Sequence, residues 1–120
     1  MDVFLLRALL VLLAIAIYSC AGTNSNKQLN DPPALDLSRV RFSGGEGSDC
    51  NSRVVITGAL TEPIGIQAER FWLNKHYPGF KKSHQEMFKC EGKPVDWVTI
   101  QTADGKTRDV VFDISGFVGK

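Results

Sequence analysis

Between residues 38 and 120 only one stretch has both the length and the pattern of a helix, and short β-like runs flank it on either side. Thr61 is placed to cap its start, Pro63 falls in the first turn where a missing N–H donor costs nothing, and Tyr77-Pro78-Gly79 stops it after about His76. Ile64, Ala68, Phe71 and Trp72 share one face, and Ile66, Leu73 and Tyr77 form a second apolar stripe nearly opposite. Gln67, Arg70 and Asn74 make the continuous polar strip. So wide an apolar arc predicts a helix cradled by a curved sheet.

Residues 39–42 and 53–57 are rich enough in β-branched and aromatic side chains to be strands, separated by the loop SGGEGSDCNS. Three further strands are expected at about 82–90, 95–102 and 107–114, joined by turns at 91–94 and 103–106. The Asp104-Gly105 pair tolerates the positive φ angles of a tight hairpin. In the last strand Val110, Phe112 and Ile114 alternate with Val111 and Asp113, which predicts one buried face. The order is β-β-α-β-β-β. It defines an α+β fold with a single helix packed against a curved antiparallel sheet of four to five strands. Cystatin-like and PepSY-like folds share that general order, and fold order carries no function.

The chain has 120 residues, which limits it to one small domain. Its first nineteen residues read as a signal peptide: a charged start with Arg7, then the ten-residue apolar run from Ala8 to Ile17. Ten helical residues rise about 15 Å, half of a hydrocarbon core of about 30 Å. A retained anchor extended through Val3 to Leu6 would have to place Arg7 in the span. Ile17-Tyr18-Ser19-Cys20 resembles a bacterial lipobox, in which the cysteine thiol is acylated before cleavage. Tyr18 departs from the small or aliphatic residue usual at that place. The rival is cleavage after Ala21 at Ser19-Cys20-Ala21, releasing a soluble periplasmic or secreted protein. Lipid attachment at Cys20 is the preferred reading, with residues 20–37 as a flexible polar linker and residues 38–120 as the folded domain. A membrane contact through that lipid is the first expected partnership.

With Cys20 taken by lipid or cleavage, Cys50 and Cys90 remain as an even pair in a small exported domain where oxidation is permitted, and they are expected to form a disulfide. Lysine and arginine total 14 against 13 acidic residues, and the longest basic run is Lys81-Lys82. That balance argues against nucleic-acid binding, which needs a clustered basic face.

Phe42-Ser43-Gly44-Gly45 followed by Glu46-Gly47, then Val54-Val55-Ile56-Thr57-Gly58, Tyr77-Pro78-Gly79, Asp104-Gly105-Lys106, and Phe112-Asp113-Ile114-Ser115 with Gly119-Lys120 carry a resemblance. Over residues 40–120 the chain resembles small uncharacterised exported bacterial proteins, some of them lipoproteins, with FSGG…G and FDIS…GK motifs. The resemblance implies a bacterial envelope setting and carries no functional residue with it.

Motifs for chemistry are sparse. The loop SGGEGSDCN lacks the Gly-Lys-Ser/Thr of a phosphate loop and leads into a strand, not a helix. Glu46, Ser48, Asp49 and Asn51 offer oxygens for calcium without an EF-hand spacing. His76 and His84 belong to no metal motif, and Glu69 lies two helical turns from His76, about 10.5 Å in rise. No cofactor, metal or catalytic residue is therefore assigned. Trp72 and Trp97 read as core rather than recognition anchors.

The expected function is a noncatalytic binding or interaction module with a protein partner. Its candidate interaction surface is Gly44, Gly45, Glu46, Gly47 and Phe117. A small secreted inhibitor or toxin-neutralising protein, wedging the glycine-rich loop into its target, is the alternative. An enzyme resting on Glu69, His76 and His84 is the third reading.

Overall fold

The computed structural model describes residues 35–120. The leader at 1–19, Cys20 and the linker up to residue 34 lie outside the described residues. The domain is built from β1 (Arg41–Gly44), β2 (Val54–Thr57), α1 (Glu62–His76), β3 (Lys81–Cys90), β4 (Lys93–Gln101) and β5 (Thr107–Asp113). One helix and one five-stranded open sheet make an α+β fold in the expected order.

Across the sheet the strands run β1-β2-β5-β4-β3. Three of the neighbouring pairs are antiparallel, but β2 and β5 run parallel through Val54↔Phe112 and Val55↔Asp113. The sheet is thus mixed where an antiparallel one was expected. Chain direction explains the difference: α1 returns the chain so that β3 follows the direction of β2, and the β3–β4 hairpin then brings β5 back in that same direction. Its last strand therefore fills the centre.

That placement buries β5 on both faces. Val110 and Phe112 join Val54, Ile56, Val98 and Ile100 under the helix, where Ala68, Trp72 and Leu73 meet them. The Trp72 and Phe112 rings meet edge to face with centroids 5.5 Å apart. Val111 faces the other way with Val95 and Cys90, against which Cys50 and Trp97 pack. The sequence alternation of β5 read as one buried face, whereas the β1–β2 loop covers the second.

Cys50 and Cys90 form the disulfide, with Cα atoms 5.6 Å apart and a sequence separation of 40. The loop it holds continues the sheet beyond β2. Val111 N–H donates to Gly47 O at 2.7 Å, and Gly47 N–H donates to Ser52 O at 2.7 Å. Gly47 is buried at a φ of 85°, and a methyl there would press on Val110 and Val54. A glycine is needed by conformation and by space together.

On α1 the buried residues are Gly65, Ala68, Glu69, Trp72 and Leu73, a single stripe at three- and four-residue intervals. Ile66 and Phe71 are exposed, Phe71 at 50 %, so the apolar arc is narrower than expected. Phe71 instead stacks on Phe42 of β1, centroids 6.2 Å apart. Thr61 occupies the N-cap without a side-chain bond, and the Glu62 N–H donates to Lys120 O at 3.1 Å. The C-terminal turn therefore satisfies the helix start.

Phe117 is 2 % exposed, which removes it from the candidate interaction surface. After β5 the chain turns back, with Phe117 N–H donating to Ile114 O at 3.1 Å, and the ring settles where Gly65 leaves no side chain. Asp113 fixes this turn by accepting from the Ser115 N–H at 3.0 Å and hydroxyl at 2.6 Å. Burial opposes the Asp113 carboxylate, but those bonds and Arg53 Nε at 3.3 Å outweigh it and hold its pKa below the ordinary value. Leu37 packs against the core one residue ahead of the expected domain start.

Candidate functional sites on the two faces of the sheet

Glu69 lies in the buried stripe of α1 and is 5 % exposed. Helical periodicity puts it there, one residue from Ala68 and four from Leu73, facing the β3–β4 side of the sheet. It lines a cleft of about 180 Å³ with Ile66, Leu73, Phe80 and Val98 as apolar walls and Arg70, Lys82 and Gln85 as polar ones. Lys82 Nζ donates to Gln85 Oε1 at 2.7 Å, and Gln85 Nε2 donates to Asp96 Oδ2 at 3.0 Å. That chain of donors ends at Asp96. Glu69 Oε1 is buried and receives no hydrogen bond.

Burial pushes the Glu69 pKa from its ordinary 4.5 up to about 9, and the neighbouring Asp96 carboxyl adds to the shift by repulsion and by its hydrogen bond to the protonated form. Lys82 pulls the other way. Below about pH 4.5 Glu69 is protonated folded and unfolded alike, so it costs nothing. As pH rises from there toward about 9 the unfolded chain ionises while the native one keeps its proton, so stability falls. The slope is at most about 1.4 kcal/mol per pH unit. Glu69→Gln should flatten this decline and raise the urea midpoint above wild type at neutral pH. A wild-type stability that stays level between about pH 5 and 9 would contradict this account of the site.

A groove of about 390 Å³ lies on the opposite face, over the disulfide, lined by Cys50, His84, Glu86, Phe88, Lys89, Trp97 and Thr99. Alternation along β3 puts His84, Glu86 and Phe88 on this face, paired with Thr99, Trp97 and Val95. Phe88 is 49 % exposed and meets the half-buried Trp97 edge to face at 6.0 Å. His84 Nε2 lies 3.2 Å from Glu86 Oε1. β3 is also the outermost strand of the sheet, so the main-chain groups on its free side face outward.

The residues singled out from sequence do not assemble into one site. Gly44, Gly45 and Glu46 are exposed, but Gly47 is buried against the sheet and leaves the expected interaction surface. The loop is closed down on β5 by its hydrogen bonds, not raised as a wedge. Glu69, His76 and His84 do not converge: Glu69 faces the helix-side cleft, His76 stacks on Trp72 at 3.9 Å, and His84 lies in the disulfide-side groove. Asp96 and Gln85 escaped sequence reasoning. Their signal was present, since Asp96 interrupts the apolar alternation Asp96, Val98, Ile100 on β4.

Among the described residues no helix is long and apolar enough to cross a membrane, and no three His, Cys, Asp or Glu side chains are grouped to hold a metal ion. No family model, curated protein or solved structure matches the chain.

Proposed function

We propose that this chain is a noncatalytic interaction module of the bacterial cell envelope, anchored in the membrane by lipid on Cys20 and facing the periplasm. The leader, the lipobox-like junction and the resemblance to small exported proteins support the address. The observation that carries the interaction reading is the aromatic groove beside the free edge of β3. Its occupant is an extended segment of a protein partner, which pairs its main chain with β3 and seats an apolar side chain against Phe88 and Trp97. A half-exposed aromatic held on a rigid sheet is the kind of residue that dominates binding energy.

A photo-crosslinking side chain at Glu86, used in intact envelopes, should capture one discrete protein band. The same side chain at Asp104, in the β4–β5 turn, should not. Phe88→Ala should weaken that capture by roughly tenfold, about 1.4 kcal/mol, while leaving the melting temperature little changed. Equal capture from both positions, or none from Glu86, would refute the groove.

The anchor has its own test. The mature chain should carry acyl groups on Cys20 and fractionate with membranes, and Cys20→Ala should release or block it. A wild-type mature chain found unmodified and beginning at Gly22 would overturn the lipid reading.

A further inference from the structure

The charges along the free edge of β3 restrict which strand can lie beside it. β3 carries Lys81, Lys82 and Lys89 against a single acid, Glu86, and all of them are exposed. The lysines stand toward the two ends of the strand, with the exposed Met87 and Phe88 between them. A bulge at Ser83, where the register slips between Lys82 and His84, sets the first pair of lysines apart from the regular stretch. Ser83 Oγ donates to Thr99 O at 3.1 Å and pins it. Lysines and a bulge are common guards of an open sheet edge, but an edge that is only guarded has no use for two large exposed apolar side chains beside the guards.

A second copy of the chain is a poor occupant. Antiparallel self-pairing centred on Gln85 sets Lys81 opposite Lys89, centring it between Gln85 and Glu86 sets Lys82 opposite Lys89, and centring it on Glu86 sets Glu86 opposite itself. Like charges directly opposite one another destabilise a strand pair. A strand with the opposite charge at its ends gains where the copy loses. Resting on the groove as a strand-docking edge, we propose that its occupant is an extended partner segment with Asp or Glu toward each end and an apolar residue between. The carboxylates meet Lys82 and Lys89, and the apolar side chain lies against Phe88 and Trp97.

Strand geometry sets the spacing of the acids. Lys82 and Lys89 lie about 20 Å apart along β3, allowing for the bulge, so the partner's carboxylates stand roughly six to eight residues apart. Glu86 lies between them on the groove side, with its Oε1 3.2 Å from His84 Nε2, and repels a further acid placed opposite it. Acidic character therefore belongs at the ends of the segment and not at its centre. Lys82 Nζ donates to Gln85 Oε1 at 2.7 Å, an exposed bond to a neutral oxygen that a carboxylate displaces. Behind the edge on β4, Lys93 and Asp96 stand opposite Cys90 and Met87 and offset each other in charge. Exposed ion pairs of this kind set selectivity and association rate more than total affinity.

The test uses the mature chain in detergent and the dye-labelled, end-capped peptide Glu-Glu-Thr-Val-Phe-Val-Thr-Glu-Glu, whose symmetric order suits either strand direction, read by fluorescence anisotropy. The control peptide has Lys in place of every Glu. At low salt the acidic peptide should bind at least about tenfold tighter than the basic one, and the ratio should shrink as salt is added. Lys82→Glu combined with Lys89→Glu, both at exposed positions, should keep the melting temperature and invert the preference. Equal affinity for the two peptides, or a preference that survives the charge reversal, overturns the acidic assignment. If Phe88→Ala then weakens both peptides, the groove stands as the docking edge without it. A crosslink from Glu86 at twice the mass of the chain assigns the edge to a second copy and overturns the proposal. Binding of neither peptide overturns it as well, and a Glu86 crosslink to another protein that persists tells that failure from a failure of the groove itself.

Discussion

Phe117→Ala should destabilise the domain by about 3–5 kcal/mol, read as a fall in the urea midpoint at unchanged slope. The ring is fully enclosed, it sits against the face of α1 left bare by Gly65, and the turn that carries it also brings Lys120 O to the helix start. Removing the ring leaves a cavity that backbone hydrogen bonds from residues 114–120 prevent from collapsing. A surface position of the same sequence would shift stability by about 0.5 kcal/mol or less. Gly65→Ala offers the mirror experiment. A methyl there overlaps the Phe117 ring, so the single variant should also lose stability, and pairing it with Phe117→Leu should recover part of the loss. Additive losses in the double variant would show that the two positions do not share a contact.

Replacing both Cys50 and Cys90 by Ser should cost about 4 kcal/mol, a large part of what a domain of this size commands. The bond closes a segment spanning a sequence separation of 40, which contains β2, α1 and β3. Opening it returns that segment to the entropy of a free chain. It also releases the β1–β2 loop from the end of β3, where the Arg53 guanidinium donates through Nη1 to Cys50 O at 2.6 Å and pairs through Nε with Asp113 Oδ2 at 3.3 Å. Reduction of the wild-type protein with dithiothreitol should reproduce the loss. A change below about 1 kcal/mol in both experiments would mean that the loop holds its place by the sheet hydrogen bonds alone.

The element order was readable because each element announces itself locally. Pro63 and Tyr77-Pro78-Gly79 bracket α1, and the hairpins carry Glu91-Gly92 and Asp104-Gly105. Glu91 and Gly92 take φ values of 53° and 78°, so two residues suffice for the turn, and Pro94 lies within β4 opposite Lys89. What sequence did not show is what depends on distant neighbours. The parallel pairing of β2 with β5 joins residues that sit more than fifty positions apart. The two-sided burial of β5 depends on the loop that the disulfide folds over it. Phe71 and Ile66 read as core by type but face outward, and Glu69 reads as surface by type but faces inward. Residue type alone cannot rank positions around a helix when the apolar ones exceed what the sheet can cover.

The aromatic groove was only half visible for the same reason. Trp97 drew notice as a large apolar residue, while Phe88 gave no sign that it would stay half open, since its exposure follows from β3 being outermost. Sheet order is set by pairing energies between strands far apart in the chain.

The disulfide also decides how the domain carries mechanical load. A chain pulled from its N-terminal side while a partner grips β3 transmits tension along β1, through the loop to Cys50, and across the sulfur bridge to Cys90 at the end of β3. Every link on that path is covalent. The two-residue pairing of β2 with β5, the shortest seam in the sheet, lies off the line of force. Cutting the bridge would put that seam in series with the pull, so a tethered domain would yield there first and part β1 and β2 from the rest of the sheet.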